Sequence, residues 1–214
     1  MTAQVGGASP LSRAAVITER NALRQQLRRA RRLFSPPQQH YAAKAVASRL
    51  GRDPLITPGA RIGIYLALPE ELNLDEFIAL AWSRGCQLFV PHITHLRRRR
   101  MAFHPFTCAS RLRTHRWGMP QLRDIRQPAI NSLMLDAVLV PLVGFDDSGH
   151  RLGMGAGFYD RHFARLRGSR QWRRPRLIGV AYAAQQVSQL PAQAHDIRLD
   201  RIVTERAVIV AKAR

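Results

Sequence analysis

The chain has 214 residues, 46% of them hydrophobic, which is enough for one domain with a full core. Its formal net charge of +20 is carried almost wholly by arginine, Lys44 and Lys212 being the only lysines. The arginines are dispersed, with tight runs only around Arg28–Arg32 and Arg97–Arg100, so a solvated basic surface is expected and a basic nucleic-acid-binding protein stands as the alternative.

Residues 1–18 lack the apolar stretch of a signal peptide and read as a disordered leader, poor in acids as transit peptides are. Glu19 to Phe34 then reads as a helix with Thr18 as N-cap, its buried stripe formed by Leu23, Leu27, Ala30 and Phe34. Arg20, Arg24, Arg28 and Arg31 repeat the same spacing on a neighbouring face, which by itself describes a solvated cationic surface. Pro36-Pro37 ends that helix and starts another over about residues 38–50. Arg61 to Leu68 has the β-branched and aromatic content of a buried strand. Pro69-Glu70-Glu71 closes it, and Asn73 caps a helix running through Trp82 to Gly85. Acids at the end of a central strand stand either in a solvated turn or where ligands bind in open α/β sheets.

Cys86 to Ile93 is a further strand, followed by Met101 to Phe106, with Arg97–Arg100 as a solvated hairpin tip between them. His92, His95 and His104 have no carboxylate or cysteine at ligand spacing, so no metal site is expected there. Cys86 and Cys108 form no C-x-x-C pair; neither a disulfide framework nor a zinc site is indicated, and a reducing cytoplasm fits. No apolar run approaches the roughly 18 residues of a membrane span. Residues 111–128 show no clear periodicity, and no internal repeat or low-complexity tract is present.

Leu135 to Val143 is an almost unbroken apolar run, the pattern of a strand buried on both faces of a mostly parallel sheet. Asp146 to Gly149 marks a turn; Arg151 and three alternate glycines, Gly153, Gly155 and Gly157, come next, and a helix with Phe158, Phe163 and Leu166 on its buried side follows. Glycines admit close approach of backbone N–H groups, an arginine fork suits phosphate oxygens, and Asp160 beside such a loop is where magnesium needs a protein ligand. The spacing is neither the G-x-G-x-x-G of a dinucleotide site nor a Walker loop. Arg176 to Tyr182 and Ala207 to Ala211 complete the strands, and the alternation of strands and helices predicts an α/β fold: a three-layer α/β/α domain with a largely parallel central sheet.

Pro141, Phe145, Asp146, Gly149, Arg151, Leu152, Gly153, Gly155, Gly157, Phe158, Tyr159, Asp160 and Arg161 together match P-x-x-x-F-D-x-x-G-x-R-L-G-x-G-x-G-[YF]-Y-D-R. This resembles the signature of the 5-formyltetrahydrofolate cyclo-ligase (5,10-methenyltetrahydrofolate synthetase) family. Three weaker stretches resemble the same family: Arg20, Leu23 and Arg24 in [KR]-x-x-L-R, Trp117-Gly118-Met119, and Asp196 to Glu205 in the closing D-[IV]-x-[LV]-D motif. The glycine loop departs from some members, animal ones included, in having Met154 and Ala156 where those carry Arg and Lys.

The resemblance implies a single cyclo-ligase domain over residues 19–214, acting on ATP and 5-formyltetrahydrofolate with Mg2+. It implies that ATP phosphorylates the formyl oxygen and N10 then displaces phosphate. It assigns Arg151 and Tyr159 to catalysis, and Arg20, Arg24, Arg151, Gly153, Gly155, Gly157 and Phe158 to ATP. Leu66, Glu71, Trp117, Phe158 and Tyr159 go to the folate, and Asp160 and Asp200 to the magnesium. Trp117 has a core position, and Asp200 a simple turn, as its competing account. A monomeric cytoplasmic enzyme with small-molecule substrates, and with no nucleic-acid or membrane partner, is expected.

Overall fold

A computed structural model describes residues 13–114, 118–164 and 175–212. In chain order it contains α1 (Arg13–Arg32), α2 (Pro36–Gly51), β1 (Arg61–Gly63), α3 (Asp75–Ser83), β2 (Gln87–His95), β3 (Arg100–Phe106), β4 (Leu112–Thr114), β5 (Pro120–Leu122), β6 (Ala137–Pro141), β7 (Gly144–Phe145), β8 (Arg151–Leu152), α4 (Phe158–His162), β9 (Arg176–Val180), β10 (Arg201–Val203) and β11 (Val208–Val210). Seven strands form one sheet in the order β11-β10-β9-β6-β1-β2-β3. The five central strands are mutually parallel and the two edge pairs, β2–β3 and β10–β11, are antiparallel.

The central strand β6 shows why its sequence is so apolar: Ala137 through Val140 are wholly buried. Alternate residues serve opposite faces. Ala137 and Leu139 join Val46, Leu50, Phe77 and Ala81 of α2 and α3 in one core layer. Val138 and Val140 join Phe103, Phe145, Phe163 and Ile202 in the other, beneath α4 and the β7–β8 hairpin. A third, smaller cluster of Leu27, Val143, Leu152 and Leu190 fastens α1 to that hairpin.

Two sequence expectations are corrected here. The first helix begins at Arg13 rather than Glu19, so residues 13–18 belong to it. Thr18 is no N-cap; its hydroxyl donates to the Ala14 carbonyl at 3.1 Å, inside the helix. The strand expected over Arg61 to Leu68 ends at Gly63; beyond it Ile64 still donates to the Phe89 carbonyl at 2.7 Å, and Ile64 and Tyr65 are buried. Asn73 does organise the start of α3, its side-chain oxygen accepting from the Asp75 N–H at 2.5 Å.

Candidate active site

Helix α1 lies across the end of the sheet where the parallel strands finish, and its period sends successive arginines to different loops. Arg20 pairs with Asp196 at 2.8 Å and donates to the Pro191 carbonyl at 2.6 Å. Arg24 donates through Nε to the Gly153 carbonyl at 2.8 Å, so the first helix and the glycine loop are in direct contact. Burial, then the neighbouring Arg20 charge, lowers the pKa of Arg24, and Asp196 opposes the shift. Arg28, Arg31 and Arg32 converge on Glu70, at 2.8, 3.0 and 2.8 Å. Arg31 is among the most fully buried side chains of the protein and also donates to the Leu142 carbonyl, just past β6, at 3.3 Å. A cleft of about 380 Å³ lies between this helix and the loop, lined by Arg24, Arg28, Arg29, Arg32 and Met154.

The glycine loop connects β8 to α4. Gly155 and Gly157 have φ of 102° and 66°, the left-handed region that favours glycine. Gly153 does not, and a Cβ built there would meet nothing within 4 Å. At its start, Arg151 is buried with one terminal nitrogen on the Ile197 carbonyl and the other on Asp160 Oδ1 at 2.7 Å. The same Oδ1 accepts the Ile197 N–H at 3.1 Å. Arg151, expected to present its fork to phosphate oxygens, has both terminal nitrogens engaged within the protein, where it braces the loop and holds Asp160.

Glu71 follows the end of β1 and accepts the Leu68 N–H at 3.0 Å. Burial raises its pKa, while that hydrogen bond and the Arg31 charge pull the other way. Glu71 acts electrostatically on Tyr159 and on Tyr65, which brings the three together. Burial, and then the Glu71 charge, pushes the Tyr159 hydroxyl far above its ordinary range, so it is a proton-bearing donor at neutral pH. Phe158 and Tyr159 are half-buried against the core layer beneath α4. Leu66 is half-buried against the layer formed with α2 and α3. Trp117 lies outside the described residues.

Two of the expected ligand residues are engaged within the protein. Arg20, expected at the nucleotide, has its guanidinium on Asp196 and on the Pro191 carbonyl. Asp200, expected with Asp160 on the metal, immediately precedes β10. There it accepts the Leu177 N–H at 2.7 Å and pairs with Arg176 at 2.7 Å, capping the start of β9. The acid of the closing motif on the Asp160 side is Asp196, next in chain to Ile197. Sequence reasoning missed it because both acids of D-I-R-L-D fit a metal ligand equally and only the direction of the chain separates them. It also missed Arg31 and Tyr65; Arg31 was visible as one member of the arginine stripe.

An open, mainly parallel sheet with an arginine-flanked glycine loop beyond its strand ends has the architecture of an α/β enzyme whose ligands bind at the strand ends. The profile of the 5-formyltetrahydrofolate cyclo-ligase family matches residues 16–205, and the chain belongs to that family. It is 30% identical over 187 residues to the 5-formyltetrahydrofolate cyclo-ligase of Escherichia coli K12, covering 85% of this chain and 98% of the relative. With the Saccharomyces cerevisiae enzyme of the same name it shares 31% over 157 residues, covering 67% of this chain and 74% of the relative. The solution structure of Aquifex aeolicus 5,10-methenyltetrahydrofolate synthetase superposes with a TM-score of 0.75 at 25% identity, over 91% of this chain and 94% of that one. No helix among the described residues is long and apolar enough to cross a membrane.

Proposed function

We propose that this chain converts 5-formyltetrahydrofolate to 5,10-methenyltetrahydrofolate in the cytoplasm, using Mg-ATP and releasing ADP and phosphate. The observation that carries this reading is the glycine loop held between Arg24 and the Arg151–Asp160 pair, with Glu71 and Tyr159 drawn together at the strand ends. In the proposed reaction the formyl oxygen attacks the γ-phosphorus as the bond to ADP breaks. N10 then adds to the formyl carbon and loses its proton, and the C–O bond breaks to release phosphate. Phosphorylation turns an oxide, a poor leaving group, into a good one.

The residues supply position and charge rather than covalent chemistry. Arg24 and the loop N–H groups face the polyphosphate, and Arg151 fixes the loop and the carboxylate of Asp160. Tyr159, keeping its proton, is a donor, and Glu71 accepts from the pterin ring. A magnesium ion fits Asp160 as a single protein ligand: Oδ1 is engaged by two donors, no donor among the described residues occupies Oδ2, and the side chain is 23% exposed. One carboxylate with phosphate oxygens and water is an ordinary magnesium shell, and the ion would neutralise charge developing on the phosphates. The deciding assay follows the near-ultraviolet absorbance of methenyltetrahydrofolate with and without Mg-ATP. Turnover that proceeds unchanged without ATP overturns the proposal.

A further inference from the structure

The tip of the β2–β3 hairpin, expected to be a solvated turn, lies against the glycine loop. Arg161 of α4 donates to the Arg98 carbonyl at 3.4 Å, tying the tip to the helix that follows the loop. The Arg99 N–H closes the turn on the Leu96 carbonyl at 3.0 Å. Arg99 has φ of 50° and is the one non-glycine residue with positive φ among the described residues. That conformation is disfavoured for a residue with a side chain, and here it accompanies a guanidinium whose terminal nitrogen lies 3.6 Å from where a Cβ of Gly157 would stand. Two residues earlier in the loop, Cζ and Nε of Arg24 lie 3.9 Å from the corresponding point of Gly155. The loop is therefore flanked by two guanidinium groups from elements far apart in sequence.

We propose that Arg99 is a second arginine contact to the polyphosphate of ATP, beside Arg24 at the glycine loop. This rests on the cyclo-ligase reading and extends it to a residue outside the glycine loop and α1. Met154 and Ala156 leave the loop itself without a cation. The nearest carboxylate of the loop region, Asp160, is already paired with Arg151, and Arg99 has no ion-pair partner among the described residues. Two positions that are two residues apart in the chain lie at most about 7 Å from each other. Arginines set along such a stretch suit linked phosphates better than a single one, and each planar fork accepts two phosphate oxygens.

The test titrates the full-length protein with inorganic tripolyphosphate and with ATP by calorimetry, and measures KM for both substrates. Arg99→Ala is expected to weaken tripolyphosphate and raise KM for ATP about tenfold, with KM for 5-formyltetrahydrofolate unchanged. Arg99→Gly removes the same guanidinium while suiting the positive φ, so it must show the same loss in a backbone that is no less stable. Arg97→Ala changes the net charge equally and should leave both ligands unaffected. Unchanged tripolyphosphate and ATP affinities in Arg99→Gly overturn the proposal, as does an equal loss in Arg97→Ala, which would mark a diffuse field effect. If the wild type binds tripolyphosphate but does not turn over the folate, the reaction assigned above fails while the Arg99 contact is still measured.

Discussion

Glu71 illustrates how a buried carboxylate costs stability. Its carboxylate is largely buried with a single backbone donor, and burial raises its pKa above the ordinary 4.5 in spite of Arg31. Glu70 adds repulsion, and Tyr65 and Tyr159 face it without charge. Because the folded-state value is raised, its contribution to stability is full below 4.5 and is lost as pH rises through the folded value. Glu71→Gln, which can still accept from Leu68, should therefore raise Tm near neutral pH and lose that advantage towards pH 4.5, while weakening folate binding and sparing ATP. Thermal unfolding at the two pH values, with calorimetry for each ligand, checks both halves. Asp160 and Asp200 are separated by the same kind of experiment. Asp160→Asn should raise the magnesium requirement of the reaction. Asp200→Ala should leave that requirement as it is and lower stability by about 1.5 kcal/mol through the lost cap on Leu177. A shifted magnesium dependence in Asp200→Ala would restore it to the metal shell.

At the scale of the element, α1 is a lever arm whose charged stripe is sorted by depth. Burial raises the pKa of Glu70, but the hydrogen bonds and charges of Arg32, Arg31 and Arg28 outweigh it and hold the group below its ordinary value. Arg28 and Arg32 are partly or largely exposed, whereas the Arg31 side chain is only 1% exposed, with Nε and one terminal nitrogen lacking a well-formed hydrogen bond. Arg31→Met removes an incompletely satisfied buried charge. It leaves Glu70 with two arginines and leaves the Leu142 carbonyl with Gln185 at 2.8 Å. Such a change should be neutral or stabilising, by up to about 3 kcal/mol. Glu70→Leu strands Arg31 in the core and should cost about 3 kcal/mol or more. Chemical denaturation of the two variants measures this asymmetry; equal losses would show that Arg31 is held by contacts other than Glu70.

For the molecule as a whole, the +20 charge is a constant load on the folded state. Fourteen carboxylates cannot pair with 34 cations, and each additional unpaired arginine repels the others. Added salt should consequently raise Tm between about 10 and 150 mM, the range over which the screening length falls from about 30 to 8 Å. A flat or falling Tm would show that local ion pairs such as Arg20–Asp196 outweigh the global repulsion. The same excess charge makes weak, salt-sensitive retention of RNA an expected side property, distinct from the specific chemistry of the loop.

The apolar run from Leu135 to Val143, the alternation of strands and helices, and the run from Arg151 to Arg161 determined the α/β architecture and the glycine loop with no other information. These are local signals: burial on both faces demands continuous hydrophobicity, and left-handed turns demand glycine at Gly155 and Gly157. What tertiary structure alone decided is which charged groups meet. Asp196 and Asp200 are four residues apart in one motif, yet chain direction carries the first to Arg20 and the second to the start of β9. Arg99 read as a solvated tip because nothing in its neighbourhood along the chain distinguishes it; only the folding of the β2–β3 hairpin over α4 brings it to Gly157. Arg31 and Arg28 share one stripe, and burial separates them because the helix is packed against the sheet end at one turn and faces water at the other. Periodicity fixes the face on which a side chain stands, whereas its partner is fixed by elements distant in sequence, whose placement depends on the packing of the whole core.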